Sequence, residues 1–237
     1  MGFIMKPSGI VGVISGDVVK SSKRELSRDA ILARLNRALA DTRGFLQKRN
    51  CSFYASDIYR GDSFQCALTE ASYALWAAIF IRTELIDLRQ DGIRADVRLG
   101  VGLGSASSWN EKNITSSDGE AFRLSGRALD ELKSGKEKYR RLRILTPWEN
   151  DNLAFQALSA NLDAIMQSWT FEQAAAMSLF LRAINQAGAS RILEVKQPAV
   201  QNRLRKAGHF AVKEALEYFS RSTKDRIISL GINNPMI

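Results

Sequence analysis

Two aspartates sit where strand ends come together. Asp17 follows the apolar run Ile10-Val11-Gly12-Val13-Ile14-Ser15 and Gly16, so it ends a strand buried on both faces. Asp62 follows Gly61 between two strand-like runs, 51–58 and 63–68, which is a hairpin signal. If the strands are neighbours, both carboxylates reach one rim of a sheet. Two carboxylates that close repel each other unless a hard divalent cation, Mg²⁺ or Mn²⁺, lies between them. A pair of that kind is how a site for phosphoryl chemistry is built. The same residues also suit plain turn geometry with no ligand.

Arg123 and Arg127 stand four apart on an expected helix and so face the same way. Two guanidinium forks suit a phosphate. The alternative is a solvated face, with Glu131 paired to Arg127 and Glu120 to Arg123.

The elements that would carry these residues are readable in order. Ser22-Lys23-Arg24-Glu25 has capping-box spacing ahead of a helix with Leu32, Leu35, Leu39, Thr42 and Leu46 on one face. The hairpin follows, then a long apolar helix over 70–90 stopped by Asp91-Gly92. A strand over 96–105 carries alternating glycines, Gly100, Gly102 and Gly104, which call for a backbone or ligand close by. Ser117-Asp118-Gly119-Glu120 repeats the box before a helix bearing Ala121, Leu124, Ser125, Ala128 and Leu132. Leu142 to Leu145 reads as a last strand. The order predicts an α+β, ferredoxin-like antiparallel sheet with helices on one face over residues 1–147.

Beyond Pro147 no strand signal survives, and residues 153–237 read as all-helical. Thr170-Phe171-Glu172-Gln173 is a third capping box. Residues 189–207 look like a helix-turn-helix. Ile192, Leu193, Val195, Val200 and Leu204 supply its packing, and Pro198 suits a first helical turn. Gln197, Gln201 and Asn202 are amides able to read base edges, while Arg203, Arg205 and Lys206 reach phosphates. Glu194-Val195-Lys196 occupies the turn where a glycine is usual. The alternative is a helical domain with a basic solvated face, or one that docks a protein.

Composition supports a polyanionic partner: 34 Lys and Arg against 25 Asp and Glu give a net charge of +9 over 237 residues. No run of about 18 apolar residues exists, so no membrane span is expected. Two cysteines cannot form a disulfide framework, and a reducing cytoplasm is the default. One histidine, His209, excludes a His-based metal cluster and a Ser-His-Asp triad.

Four segments come in the order of the class III nucleotidyl cyclase motifs: Ile14-Ser15-Gly16-Asp17-Val18-Val19, Arg60-Gly61-Asp62-Ser63-Phe64, Val97 to Gly102, and Gly119 to Arg127. The Gly-Asp hairpin also looks like that of the GGDEF palm domains. The chain most resembles the SatD family, cyclase-like domains often followed by a helix-turn-helix. The resemblance implies a palm-like fold in which Asp17 and Asp62 match metal-binding aspartates. The backbone around Val18 and Val19 would face phosphates, and Arg127 matches the arginine that steadies developing charge in an enzyme. Arg123 stands where the cyclase pattern has asparagine, and Ile58 replaces a purine-reading lysine. These departures weigh against turnover more than against nucleotide or phosphate binding. The resulting expectation is a DNA-binding, homodimeric regulator that senses a nucleotide or phosphate ligand with a divalent metal. A nucleotidyl cyclase, or a palm serving only as a dimer scaffold, are the alternatives.

Overall fold

Alternation along residues 10–19 decides which face of the sheet each helix covers. Ile10, Ile14 and Val18 project to one side, while Val11, Val13, Ser15 and Asp17 project to the other. In a computed structural model of the chain, the described residues are 4–5, 9–19, 28–49, 51, 54–59, 62–87, 95–110, 113–134 and 140–231. The capping box at Ser22, the turn residues Arg60 and Gly61, and the stop at Asp91-Gly92 lie outside them.

The strands are β1 (Ile4–Met5), β2 (Ile10–Val19), β3 (Tyr54–Tyr59), β4 (Ser63–Leu68), β5 (Asp96–Ser105), β6 (Trp109–Asn110) and β7 (Leu142–Leu145). The main sheet has the order β3-β4-β2-β5-β7. Its neighbours are antiparallel except β5 and β7, which run parallel. The first four of these strands have the ferredoxin-like order, and β7 is added at the β5 edge. β1 and β6 form a separate two-stranded ribbon.

Helices α1 (Arg28–Gln47) and α2 (Ala74–Ile86) cover the face of Ile14, Val18, Phe64, Leu99 and Val101. α1 buries Leu35, Leu39, Thr42 and Leu46 of the expected stripe, while Leu32 is half-exposed. α2 is buried all round, because α1, α5 and the sheet enclose it.

Helix α3 (Glu120–Lys133) adds something the expected one-sided layer lacks, since it lies on the opposite face. The alternating glycines explain it. A Cβ at Gly100 or Gly102 would be driven into the α3 backbone at Ser125, Leu129 or Ala121. The sheet thus admits a helix backbone directly against it. The expected capping box at Ser117 does not form: α3 starts from Gly119, at φ 149°, with no side-chain cap. Only glycine adopts that φ readily.

The chain continues as α4 (Glu149–Gln167), α5 (Phe171–Leu181), α6 (Gln186–Ile192), α7 (Gln197–Lys206) and α8 (His209–Ser229). The third capping box forms, with Thr170 and Gln173 satisfying each other's backbone amides. These helices share one buried apolar cluster with the α1/α2 face of the sheet.

Two buried ionic clusters also join the halves. Arg82 on α2, fully buried, donates to Asp96 Oδ1 at 2.8 Å and to Asp163 Oδ1 of α4 at 2.5 Å. Burial alone would lower its pKa; Asp96 and Asp163 outweigh that and hold the guanidinium above its ordinary value. Asp163 Oδ2 also accepts the backbone N–H groups of Arg141 and Leu142, at 2.9 and 3.0 Å, fixing the start of β7. The second cluster surrounds Glu84, which meets Arg34 of α1 and both Ser178 and Arg182 from α5 and its end.

Candidate functional site

The β2–β4 ladder pairs Asp17 with Ser63 and continues it one step, with Val18 N donating to Asp62 O at 2.9 Å. Asp17 and Asp62 therefore do meet at one rim. The two-residue period, however, puts Ser63 rather than Asp62 beside the Asp17 side chain. Ser63 Oγ donates to Asp17 Oδ1 at 3.2 Å. Asp62 is held through its backbone carbonyl, and its carboxylate has no ion pair among the described residues.

Asp17 faces the α3 side, where it meets cations. The β2–β5 register sets Arg98 directly opposite, with Nη1 at 3.4 Å from Oδ2. Lys133, in the last turn of α3, brings Nζ to 3.4 Å from Oδ1. A carboxylate already bonded to a hydroxyl and flanked by two fixed positive charges does not fit a divalent cation. A second metal-facing carboxylate on that face is also missing among the described residues, where no group of three or more His, Cys, Asp or Glu side chains could hold a metal ion. The expected Mg²⁺ or Mn²⁺ pair of Asp17 and Asp62 is corrected on this ground: protein cations stand where the ion would. Neither Arg98 nor Lys133 was among the site residues expected from the sequence, because the β2–β5 register and the close approach of α3 bring them there.

Val18 is buried, and its N–H is consumed by Asp62 O. Val19 closes the ladder opposite Asp96. The Val18 amide is thus not free to bind a phosphate, which corrects that expectation.

Behind Asp17 a polar line runs into the core under α3. Gln65 Nε2 donates to Ser15 Oγ at 3.1 Å, and Ser15 Oγ meets Ser125 Oγ at 3.0 Å. These bonds satisfy the buried hydroxyls and fix α3 over the sheet.

Arg123 and Arg127 do share the outer face of α3, both about two-thirds exposed. They line an open depression of about 830 Å³ together with Asp130, Glu131 and Arg143. Each has a carboxylate partner: Arg123 Nη1 lies 3.0 Å from Asp118 Oδ1, and Arg127 Nε lies 3.0 Å from Glu131 Oε1. Glu131 also takes Arg143. The partner of Arg123 is Asp118 rather than Glu120, whose Oε2 accepts from Ser105 N.

The segment 189–207 forms two short helices at a turn. Leu193 ends α6 and Lys196 caps α7, with Pro198 in the first turn of α7. Glu194 takes the left-handed conformation, φ 53°, where glycine is usual. Val200 and Leu204 are buried and seat α7 against α5 and α6. Gln197, Gln201, Asn202, Arg205 and Lys206 are exposed, while Arg203 is half-buried. Arg205 Nη2 donates to Asn202 Oδ1 at 3.1 Å. From residue 185 to residue 213 the only carboxylate is Glu194. His209 starts α8, Cys51 and Cys66 are buried free thiols, and Trp109 is buried at 1% exposure rather than a lid. No described helix is long and apolar enough to cross a membrane.

Several solved structures are similar to this chain. A bacterial light-regulated adenylyl cyclase matches over 57% of this chain and 75% of its own, at 12% identity and a TM-score of 0.40. The adenylyl cyclase CyaB from P. aeruginosa matches over 52% and 72%, at 16% identity and a TM-score of 0.35. The catalytic core of a rhodopsin-guanylyl cyclase with converted specificity, in complex with ATPalphaS, matches over 56% and 84%, at 15% identity and a TM-score of 0.36. No family model and no curated protein matches the chain.

Proposed function

We propose that this chain is a DNA-binding regulator that reads a duplex with α7 and carries a ferredoxin-like, palm-like part over residues 1–147 beside a helical part over 153–237. The observation that carries this reading is the outward face of α7. It presents three amides and two cations with no carboxylate, while Val200 and Leu204 anchor the opposite face. A helix of that kind lies in a major groove with Gln197, Gln201 and Asn202 toward base edges and Arg205 and Lys206 toward phosphates. The phosphate contacts give affinity and the amides give preference. An electrophoretic or anisotropy titration against duplex DNA tests it. Arg205→Ala with Lys206→Ala should weaken binding to all sequences together and flatten the salt dependence, whereas Gln201→Ala should change the preferred sequence. Binding unaltered by both sets would remove the reading.

A phosphate-bearing effector has one favourable place, the depression shared by Arg123, Arg127 and Arg143. A phosphate there would compete with Asp118 and Glu131 for guanidinium groups already displayed to solvent. Calorimetry with a nucleoside triphosphate, repeated on Arg123→Ala with Arg127→Ala, tests it: the heat should vanish in the variant. Nucleotide cyclisation is favoured less, because Asp17 is bound to Lys133 and Arg98, and Arg127 to Glu131.

A further inference from the structure

We propose that the outward face of α8 is a docking surface for α8 of a second copy of this chain, packed antiparallel about a two-fold axis at the level of Phe219. The inward stripe of this 21-residue helix is Val212, Ala215, Phe219, Thr223 and Ile227. The opposite side begins with Phe210 and ends with Ile228, large apolar residues 70% and 63% exposed. Phe210 and Ile228 are eighteen residues apart, about five turns at 3.6 residues per turn, so they share one azimuth. Glu217 and Arg221 fall within about 20° of that same line, one on each side.

The charges between the two apolar ends alternate in sign: Lys213, Glu217, Arg221, Asp225. Each lies as far before residue 219 as its opposite lies after it, and so do Phe210 and Ile228. Turning a second copy end over end therefore brings Phe210 onto the partner's Ile228, Lys213 onto the partner's Asp225, and Glu217 onto the partner's Arg221. A parallel pairing brings every charge onto its like. Charge pattern selects orientation in helix pairs in this way, through repulsion in the wrong arrangement as well as attraction in the right one. Lys213 and Glu217 already lie 3.3 Å apart within the helix, but both are half-exposed, and a pair in that setting contributes little. Phe210 and Ile228 have no such use within one copy.

The pairing does not rest on the DNA-binding reading, but its dimensions agree with it. α7 ends immediately before α8 begins. In an antiparallel pair the two α8 N-termini lie about 30 Å apart, at 1.5 Å per residue over the helix. That is close to the roughly 34 Å between half-sites one turn apart on a duplex.

The full chain supplies the test. Cys51 and Cys66 are buried, so cysteines introduced at the surface report alone. Under mild oxidation, a chain carrying both Phe210→Cys and Ile228→Cys should run as a disulfide-linked dimer on a non-reducing gel. Neither single variant should, because like positions lie about 27 Å apart in the antiparallel pair. By sedimentation velocity the unmodified chain should be a dimer that high salt weakens. Arg221→Glu should shift it to monomer, and adding Glu217→Arg to that variant should restore the dimer, with helicity checked by circular dichroism. A monomeric unmodified chain, cross-linking of either single variant, or a dimer indifferent to Arg221→Glu would each overturn the proposal. A dimer that shifts as described but binds no DNA leaves this pairing standing and removes the reading of α7 alone.

Discussion

The ammonium of Lys133, at the C-terminal end of α3, lies 3.4 Å from Oδ1 of Asp17, at the end of β2. Arg98 reaches the other oxygen from β5, also at 3.4 Å. Three elements thus meet at one carboxylate, and its charge is balanced from within the chain. The consequence is electrostatic: a divalent ion approaching Asp17 meets two positive charges before it meets its ligand. Titrating the protein with Mn²⁺ and following the free ion by electron paramagnetic resonance should give isotherms for the unmodified chain and Asp17→Asn that coincide. Lys133→Ala should gain a weak site that adding Asp17→Asn abolishes. Coordination by Asp17 in the unmodified chain would contradict the assignment of Lys133 as its counter-charge.

A second prediction concerns Arg82, whose side chain is fully buried between Asp96 and Asp163. Replacing it with methionine strands Asp163 in the interior, where its other oxygen is already committed to the backbone of β7. Breaking a buried pair at one partner costs about 3–5 kcal/mol. Arg82→Met should lower the urea midpoint accordingly, and Arg82→Met with Asp163→Leu should recover part of the loss. The pH dependence follows from the raised pKa of Arg82. A cation held above its unfolded value contributes fully below that unfolded value, and the contribution fades as pH climbs through the folded one. The stability difference between Arg82→Met and the parent should therefore stay flat between about pH 6 and 9, since arginine titrates far above that range.

Local signals carried much of the fold, and pairing between distant segments carried the rest. Strands 63–68, 96–105 and 142–145 were legible residue by residue, because alternation and turn residues mark them. The capping box at Thr170 formed, whereas the one at Ser117 did not, since Gly119 starts the helix and the segment before it pairs Ser108 with Asp118. The meeting of β2 and β4 was legible too. Which residue would stand beside Asp17 was not: one step of register puts Ser63 there instead of Asp62. Lys133 and Arg98 belong to elements 116 and 81 positions away along the chain, and only the crossing of α3 over the sheet brings them in.

That crossing yields a third prediction. Gly100 and Gly102 face the α3 backbone with no room for a methyl group. Gly102→Ala pushes α3 off the sheet at Ala121 and Ser125 and breaks the Ser15–Ser125 hydrogen bond beneath it. Overpacking of this kind costs about 1–3 kcal/mol or more when backbone must move. The variant should unfold at lower temperature, and α3 amides should lose protection in hydrogen exchange before those of α5. Gly126→Ala, where an added methyl meets nothing within 4 Å, is the control and should be neutral or slightly stabilising.

Glu194 provides the fourth. Its φ of 53° places a side-chain-bearing residue in the left-handed region, in the turn between α6 and α7. Left-handed backbone costs a non-glycine residue roughly 1–2 kcal/mol, and glycine escapes the penalty while giving some back through its freer unfolded chain. Glu194 is exposed, so removing its side chain sacrifices no packing. Glu194→Gly should therefore raise stability by about 0.5–1 kcal/mol, a shift in melting temperature of a few degrees for a chain of this size. The same change deletes the one carboxylate between residues 185 and 213, where five of the six cations lie on or beside α6 and α7. If α7 docks on a duplex, Glu194→Gly should also tighten DNA binding at low salt, with the gain shrinking as salt screens the charge. Glu194→Ala separates the two effects: it removes the carboxylate but keeps the strained backbone, so it should tighten binding without raising the melting temperature. Tighter binding in glycine but not in alanine would trace the effect to the turn's geometry and leave charge with no part in it.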